Sequence, residues 1–337
     1  MPLSSLRVRD VPNRWDSLSL ALHAVLAWAG LDRHYRAYSA ALGHSFMTTA
    51  TTGPKDCPAW WSTHGRDALL IEAANLFGMR LRPVHPPDAA VGLGESREFA
   101  QHFEASYLPI VLRALEHRQP VLAWQGWPEP RHRLWGVITQ TAHEGVSLAG
   151  TTMWSKSHIV TLQSPPVQLY VVEEVQPRRL DHPTLMRACV TAGVKALTGD
   201  LKVSKDVVMG DKAYALWIDR LDGEDRCTGC GRRLADCHRQ MARYVTYARQ
   251  SAVRFFEHYR DGLEAELGAL LTDAANHCHK VIEALTAACD AARVESMFAT
   301  GDGKRQLMQD IESARSADSD LARLMTQIKQ ALEPTSA

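Results

Sequence analysis

A serine at the start of a helical segment is the residue of this sequence whose type and position could do nucleophilic chemistry. Residues 14–30, RWDSLSLALHAVLAWAG, predict a helix, because Asp16 or Ser17 can cap the first turn, apolar residues recur on one face, and Gly30 ends it. A hydroxyl is much harder to ionise than a thiol, whose pKa is about 8.5, so Ser17 would need a well-aligned base. The simpler interpretation is a capped helix that faces the core.

Four further segments follow this helix in the first half of the chain: GHSF at 43–46, CPAWW at 57–61, LLIEAANLFGMRL at 69–81, and LRALEHRQPVLAWQGWPEPRHRLWGV at 112–137. In their order and separation they resemble the N-terminal domain family of the butirosin-biosynthesis protein BtrH. That family is similar to bacteriocin-processing cysteine peptidases, in which a catalytic Cys lies thirteen residues before a helix-ending Gly, as Ser17 does before Gly30. The resemblance implies an α+β, papain-like (cysteine-peptidase-like) domain with its N-terminal helix packed on an antiparallel sheet.

The remaining parts of a papain-like site are altered in this sequence. Such a site needs an imidazole, a group that orients it, and an oxyanion donor. The resemblance implies a His near Leu134, and His132, two residues earlier, would point to the same face of a strand. The orienting residue should follow the next strand, where residues 146–152 offer only Gly150 and hydroxyls, and no Gln precedes Ser17 as oxyanion donor.

These losses favour a pseudoenzyme that binds a small-molecule, acyl or peptide ligand, or a protein partner. The alternative, implied by the resemblance, is an acyltransferase or amide hydrolase with Ser17 as nucleophile and His132 as base. Trp127 and Trp135 lie in the segment where the family's cleft would be, and both are candidate ligand contacts. Core packing would explain most of the tryptophans there, but Trp127, in the loop GWPEP, could form a wall for an apolar or planar ligand.

Composition limits the partners further. The 337 residues contain 38 basic and 38 acidic side chains, so the formal net charge is zero, and no general electrostatic attraction to nucleic acid or to an anionic membrane is expected. The sequence shows neither the apolar core of a signal peptide nor an apolar run of spanning length. Seven cysteines, unevenly spread, suit reduced thiols. A cytoplasmic protein is therefore predicted.

A cysteine cluster in the second half is the other group that could do chemistry. Cys227 and Cys230 form a CTGCG turn, and Cys237 and His238 follow shortly after. Together they could hold a structural zinc, with His277, Cys278 or His279 as further possible ligands. Since a single CxxC pair is weak evidence, the alternative is a loop that leads into a helix, with Cys237 buried as a small apolar side chain. No other cofactor is expected.

The positions of strands and helices suggest two domains, 1–176 and 184–335, joined by the polar, proline-bounded segment 176–183. Segments rich in β-branched and aromatic residues predict strands at 120–124, 134–140, 146–149, 158–162 and 168–173. The second half predicts an α-helical bundle, with helices at 183–197, 210–221, 234–267, 270–292 and 304–332. Its long helices also make a homodimer a possible assembly.

Overall fold

The protein is described by a computed structural model as an α+β fold with antiparallel sheets and a helical C-terminal region. The residues described are 2–9, 15–31, 33–52, 67–84, 97–128, 134–142, 147–156, 158–176, 178–201, 207–221, 226 and 232–333. No helix in these ranges combines the length and the apolar composition needed to cross a membrane.

The helices are α1 Ser17–Trp28, α2 Arg36–Ala41, α3 Asp67–Leu76, α4 Arg97–His102, α5 Leu108–Glu116, α6 His182–Thr198, α7 Asp211–Leu221, α8 Leu234–Arg260, α9 Ala265–Thr286, α10 Ala291–Phe298 and α11 Gly301–Ala331. The strands are β1 Thr49–Thr51, β2 Met79–Pro83, β3 Val121–Trp124, β4 Trp135–Ala142, β5 Ser147–Thr152, β6 Val160–Thr161, β7 Gln168–Val175 and β8 Val207–Met209. A π-helical turn, Phe103–Tyr107, joins α4 to α5.

The chain divides into two compact units that interleave in sequence. The first contains residues 1–38 and 65–180, and the second contains residues 39–64 and 181–337. The break at 180/181 falls within the segment that the sequence suggested as a linker. The described residues 39–52 are grouped with the helical unit, whereas the sequence predicted an uninterrupted domain 1–176.

The first unit is built on a six-stranded sheet with the order β2-β7-β3-β4-β5-β6, in which every neighbouring pair is antiparallel. Helix α1 packs against β4. Each of its residues from Ser17 to Leu26 is buried, as expected for a helix that is apolar almost all round. The sheet core includes the rings of Trp124, Trp135 and Tyr170, and each successive pair has its centroids 5.9 Å apart.

The second unit combines a small sheet with a helical core. Strand β1 pairs antiparallel with β8, and the apolar faces of α7, α8, α9 and α11 pack together. The predicted helix 234–267 is too long, because the chain turns after Arg260 and α9 starts at Ala265. Gly262 lies in that turn, where its low helix propensity favours the break. The predicted helix 270–292 is correspondingly shifted towards the C-terminus, since α9 ends at Thr286.

Candidate functional site

Ser17 is the first residue of α1, and the residue before it fixes where the helix begins. The carboxylate of Asp16 accepts a hydrogen bond from the backbone N–H of Ser19 at 3.1 Å, and a second one from the Ser19 hydroxyl. This is an N-cap, which satisfies one of the helix's orphan donors. Of the two predicted caps, Asp16 is the one used. Ser17 is therefore held in the first turn, with only 1% of its surface exposed.

The hydroxyl of Ser17 is hydrogen-bonded to the start of β4. Its Oγ accepts from the backbone N–H of Trp135 at 3.0 Å. This bond joins the start of α1 to the start of β4. Leu134, the position near which the resemblance implies a histidine, is a buried apolar residue without a proton acceptor in its side chain.

No imidazole among the described residues is hydrogen-bonded to Ser17. The predicted base, His132, lies outside the described residues. A base that activates a serine must come within about 2.6–3.2 Å of its hydroxyl, directly or through one water. The described contact of Ser17 is instead with a backbone N–H, which donates a proton and cannot take one.

A cluster of hydroxyls lies at the end of β5, the strand after which the family resemblance implies an orienting carboxylate or amide. Ser155 Oγ is 3.1 Å from Thr151 Oγ1, donates to the carbonyl of Thr152 at 2.9 Å, and accepts from the N–H of Thr152 at 3.2 Å. The N–H of Val8 donates to Thr151 Oγ1 at 3.3 Å. All of these residues are buried. Their hydroxyls satisfy one another and the backbone, but they carry no negative charge with which to stabilise an imidazolium.

Gln125 is a residue of this region that the sequence did not single out. Its backbone N–H donates to the carbonyl of Leu134 at 3.1 Å, so Gln125 and Ser17 bind opposite sides of the Leu134–Trp135 peptide. Gln125 has φ = 71° and is 5% exposed, and its Oε1 is buried without a partner in the described part of the chain. Strained backbone and unsatisfied buried polar atoms are features that cluster at functional sites.

Both tryptophans proposed as ligand contacts lie in the core. Trp127 is 2% exposed and its Nε1–H donates to the carbonyl of Ala123 at 3.4 Å. Its ring covers Gly136, where an added Cβ would come within 2.5 Å of the indole. Trp135 is fully buried between Trp124 and Tyr170. In this arrangement neither indole presents a face to a ligand.

The cysteine cluster is only partly described. Cys227 and Cys230 lie outside the described residues, although Arg226 and Arg233 on either side of them pair as an isolated antiparallel bridge. Cys237 and His238 are both buried in the first turns of α8. Within the described ranges, no group of three or more His, Cys, Asp or Glu side chains is arranged to hold a metal ion. A zinc site that includes Cys227 and Cys230 stays a prediction.

His238 is poorly suited to the metal role predicted for it. Its Nδ1 accepts a hydrogen bond from Trp217 Nε1 at 3.0 Å. An indole N–H only donates, so Nδ1 carries no proton and the neutral ring must be protonated at Nε2. Coordination through Nε2 would move that proton to Nδ1, where it would face the indole N–H. Burial lowers the pKa of His238 to about 3, so the ring is neutral at physiological pH.

His277, Cys278 and His279 are the alternative ligands on α9. Among the described residues, they do not form a metal-binding group with Cys237 and His238. Cys278 is fully buried, and burial raises the pKa of its thiol to about 12, so without a metal ion the thiol is protonated at neutral pH. His279 is exposed on the other side of the same helix. His277 Nδ1 is buried without a hydrogen-bond partner among the described residues.

An open cleft of about 580 Å³ lies in the first unit at the C-terminal end of α1. Its walls include Trp28 and Gly30 from the end of that helix, Arg118 from the turn before β3, and Glu173 from β7. A helix of 12 residues is about 18 Å long, so this cleft and Ser17 are at opposite ends of α1. The volume lies in the range of about 300–1,000 Å³ that is usual for small-ligand sites.

The comparisons with known proteins add no identification. No protein-family model matches the chain, and no curated protein matches it significantly.

Proposed function

We propose that the protein is a catalytically degenerate member of the BtrH-like group, whose papain-like domain binds a peptide, an acyl conjugate or a protein partner. The observation that carries this proposal is the contact of Ser17: its hydroxyl accepts the N–H of Trp135, and Leu134 stands near the position of the family's imidazole. Among the described residues, position 17 has no thiol and its hydroxyl is not hydrogen-bonded to an imidazole, the proton acceptor that acyl transfer would use.

The hydroxyl cluster at the end of β5 supports the same proposal. The hydroxyls of Thr151 and Ser155 form a neutral, mutually satisfied cluster at the end of β5. Neutral hydroxyls hold a structure together but do not stabilise the cation that a catalytic histidine becomes. The cleft at the other end of α1 is better suited to binding, because Trp28 offers apolar surface while Arg118, Glu173 and Glu174 offer charged groups of both signs. This lining suits a peptide that carries polar groups of both kinds.

The catalytic half of the proposal is tested by labelling with a fluorophosphonate, which reacts covalently with activated serines. We expect the intact mass of the wild-type protein to stay unchanged, and the Ser17→Ala variant to behave identically. An adduct on the wild-type protein that the Ser17→Ala variant does not form would establish the alternative, a hydrolase or acyltransferase that uses Ser17.

The binding half is tested by measuring the mass of the purified protein under native and then denaturing conditions. We expect a mass excess under native conditions that disappears on denaturation, and its value would give the chemical class of the ligand. A native mass equal to that of the bare chain, with no second protein bound, would contradict this half without affecting the result of the labelling experiment.

A further inference from the structure

A groove along the first half of α8 brings three arginines and two tyrosines to one side of that helix. Arg232 lies two residues before the helix, while Arg239 and Arg243 are four residues apart and therefore adjacent on its surface. Tyr244 and Tyr247 complete the same side and are both half-buried. The groove has a volume of about 410 Å³, which is enough for a small ligand.

The lining of this groove is positively charged. Asp236 is the single acidic residue among the lining residues that the structure describes, and it stands against three arginines. The carboxylate of Asp236 accepts from Arg239 at 3.4 Å and from Arg233, outside the groove, at 3.0 Å. The Arg233 guanidinium holds the pKa of this carboxyl below its usual range. The single Asp236 carboxylate is shared between Arg239 of the lining and Arg233 outside it. It therefore does not balance the charge of the three lining arginines.

Hydrogen bonds within the groove hold the guanidinium groups in place. Arg243 donates to the Tyr247 hydroxyl at 3.3 Å, and its guanidinium carbon lies 5.9 Å from the centre of that ring. Arg232 donates to Gln240 Oε1 at 3.3 Å. The Arg243 guanidinium has five N–H groups, so its bond to Tyr247 leaves this side chain with further donors. Positioned guanidinium groups bind phosphate oxygens in pairs, which gives both charge and geometric complementarity.

We infer that this groove binds a small phosphate ester that carries an aromatic ring, as a nucleoside monophosphate does. The positive lining matches a dianionic phosphate, which would bind between Arg239 and Arg243. The half-buried rings of Tyr244 and Tyr247 provide the surface on which a planar base packs. This site goes beyond the proposed function, because all of its residues lie at α8 and none belongs to the surroundings of Ser17.

The test is isothermal titration of the full chain with AMP, adenosine and inorganic phosphate as separate probes. We expect AMP to bind at least about tenfold more tightly than either fragment, since it alone engages both arginines and tyrosines. Arg239→Gln and Arg243→Gln should each weaken AMP binding by about tenfold. The matched control is Arg254→Gln, which removes an exposed arginine from the same helix outside the groove and should leave the affinity unchanged.

A further variant tests the aromatic part. Tyr247→Leu should weaken the binding of AMP more than that of inorganic phosphate, because the base loses a packing surface whereas phosphate loses only the support that Tyr247 gives to Arg243. Circular dichroism confirms that the variant is folded. Three results would overturn the inference: no binding of AMP, equal affinities for AMP and phosphate, or an equal loss of affinity in Arg254→Gln and the two groove variants.

Discussion

Ser17 and the peptide that joins Leu134 to Trp135 define the chemistry available at the start of α1. The hydroxyl accepts one backbone N–H, and the carbonyl of the same peptide accepts the N–H of Gln125. A serine used in this way links a helix to a strand. Its hydroxyl accepts a hydrogen bond that a backbone carbonyl would otherwise accept. Because the hydroxyl has this structural role, we propose a binding protein in which Ser17 is not a nucleophile.

His238 is a second residue whose contacts decide its role. The bond from Trp217 fixes the proton on Nε2, which is buried without a hydrogen-bond partner among the described residues. The residue lines a small apolar cavity of about 20 Å³, and a cavity of that size has room for one water. A neutral, buried imidazole is thus a structural group with a measurable effect on how stability depends on pH.

His238 should make the protein less stable as the pH falls. In the unfolded chain a histidine has a pKa of about 6.5, whereas burial lowers the folded pKa to about 3. Between these values the unfolded state binds the proton and the folded state does not, so the free energy of unfolding falls by up to about 1.4 kcal/mol for each pH unit below 6.5. Above pH 6.5 both states are neutral and the residue contributes no pH dependence.

Urea denaturation at pH 7 and pH 5 measures this effect. His238→Gln, which keeps an acceptor for Trp217, should lose about 2 kcal/mol of the pH dependence seen in the wild-type protein. The control His279→Gln removes an exposed histidine and should keep the wild-type slope. An unchanged slope in His238→Gln would show that His238 already binds a proton in the folded state.

Some of these single-residue features could be predicted from the sequence and others could not. The cap at Asp16 follows from local residue types, because it involves only the next three residues. Gln125, which has a positive φ, is hydrogen-bonded to Leu134, 9 residues away in sequence. The protonation of His238 depends on Trp217, 21 residues away. Nothing in a single sequence specifies those pairings.

At the scale of elements, the C-terminal end of α5 shows a mismatch between residue type and backbone. The N–H groups of Arg118 and Gln119 donate to the carbonyls of Leu115 and Ala114, both at 2.9 Å. This is a Schellman motif, in which the first residue beyond the cap adopts a left-handed conformation. Arg118 occupies that position with φ = 57°, although glycine is the residue that takes this conformation without strain.

Arg118→Gly should therefore stabilise the protein. The relief of backbone strain is expected to raise the free energy of unfolding by about 0.5–1 kcal/mol. The Arg118 side chain is exposed and has no described hydrogen bond or ion pair, so little is lost with it. Chemical denaturation measures the change, and Arg118→Ala, which removes the side chain but keeps the Cβ, should give no such gain. A gain of equal size in both variants would assign the effect to the side chain.

The elements that the sequence identified are those with strong local signals. Strands β3, β4, β5, β6 and β7 overlap the five predicted segments, since β-branched and aromatic residues are concentrated there. Strands β1 and β8 were not predicted. They are three residues long and pair Thr49 with Met209, so the stabilising contact of each strand lies about 160 residues away. A short strand of this kind has no local periodicity to detect.

Across the molecule, a buried polar network explains why the described residues 39–52 belong to the helical unit. Arg249 of α8 is fully buried and forms a two-point ion pair with Asp318 of α11. The same guanidinium donates to the carbonyl of Ser45 and to Thr48 Oγ1, both at 3.2 Å, while Tyr214 donates to Asp318 at 2.7 Å. These bonds join residues that are between 69 and 204 positions apart, and for that reason the sequence could not reveal this arrangement.

Removing one partner of the Arg249–Asp318 ion pair should destabilise the protein strongly. Asp318→Leu leaves the Arg249 guanidinium buried without its charge partner, at a cost of about 3–5 kcal/mol. The double variant Arg249→Met/Asp318→Leu, which leaves no unpaired charge, should be clearly more stable than Asp318→Leu alone. Urea denaturation of both variants makes the comparison. A double variant less stable than Asp318→Leu would show that the ion pair is not the dominant interaction.

The most direct test of the proposal that Ser17 is structural is the reactivity of a thiol placed at that position. Ser17→Cys restores the residue type that the resembling peptidases use, and the rate of its alkylation by iodoacetamide at pH 6 can be followed by peptide mass spectrometry. We predict a rate well below that of the exposed control Ser4→Cys, because position 17 is buried and no described base lowers the thiol's pKa from about 8.5. Alkylation of the Ser17→Cys thiol faster than that of the control would reveal an activating imidazole and contradict the proposal.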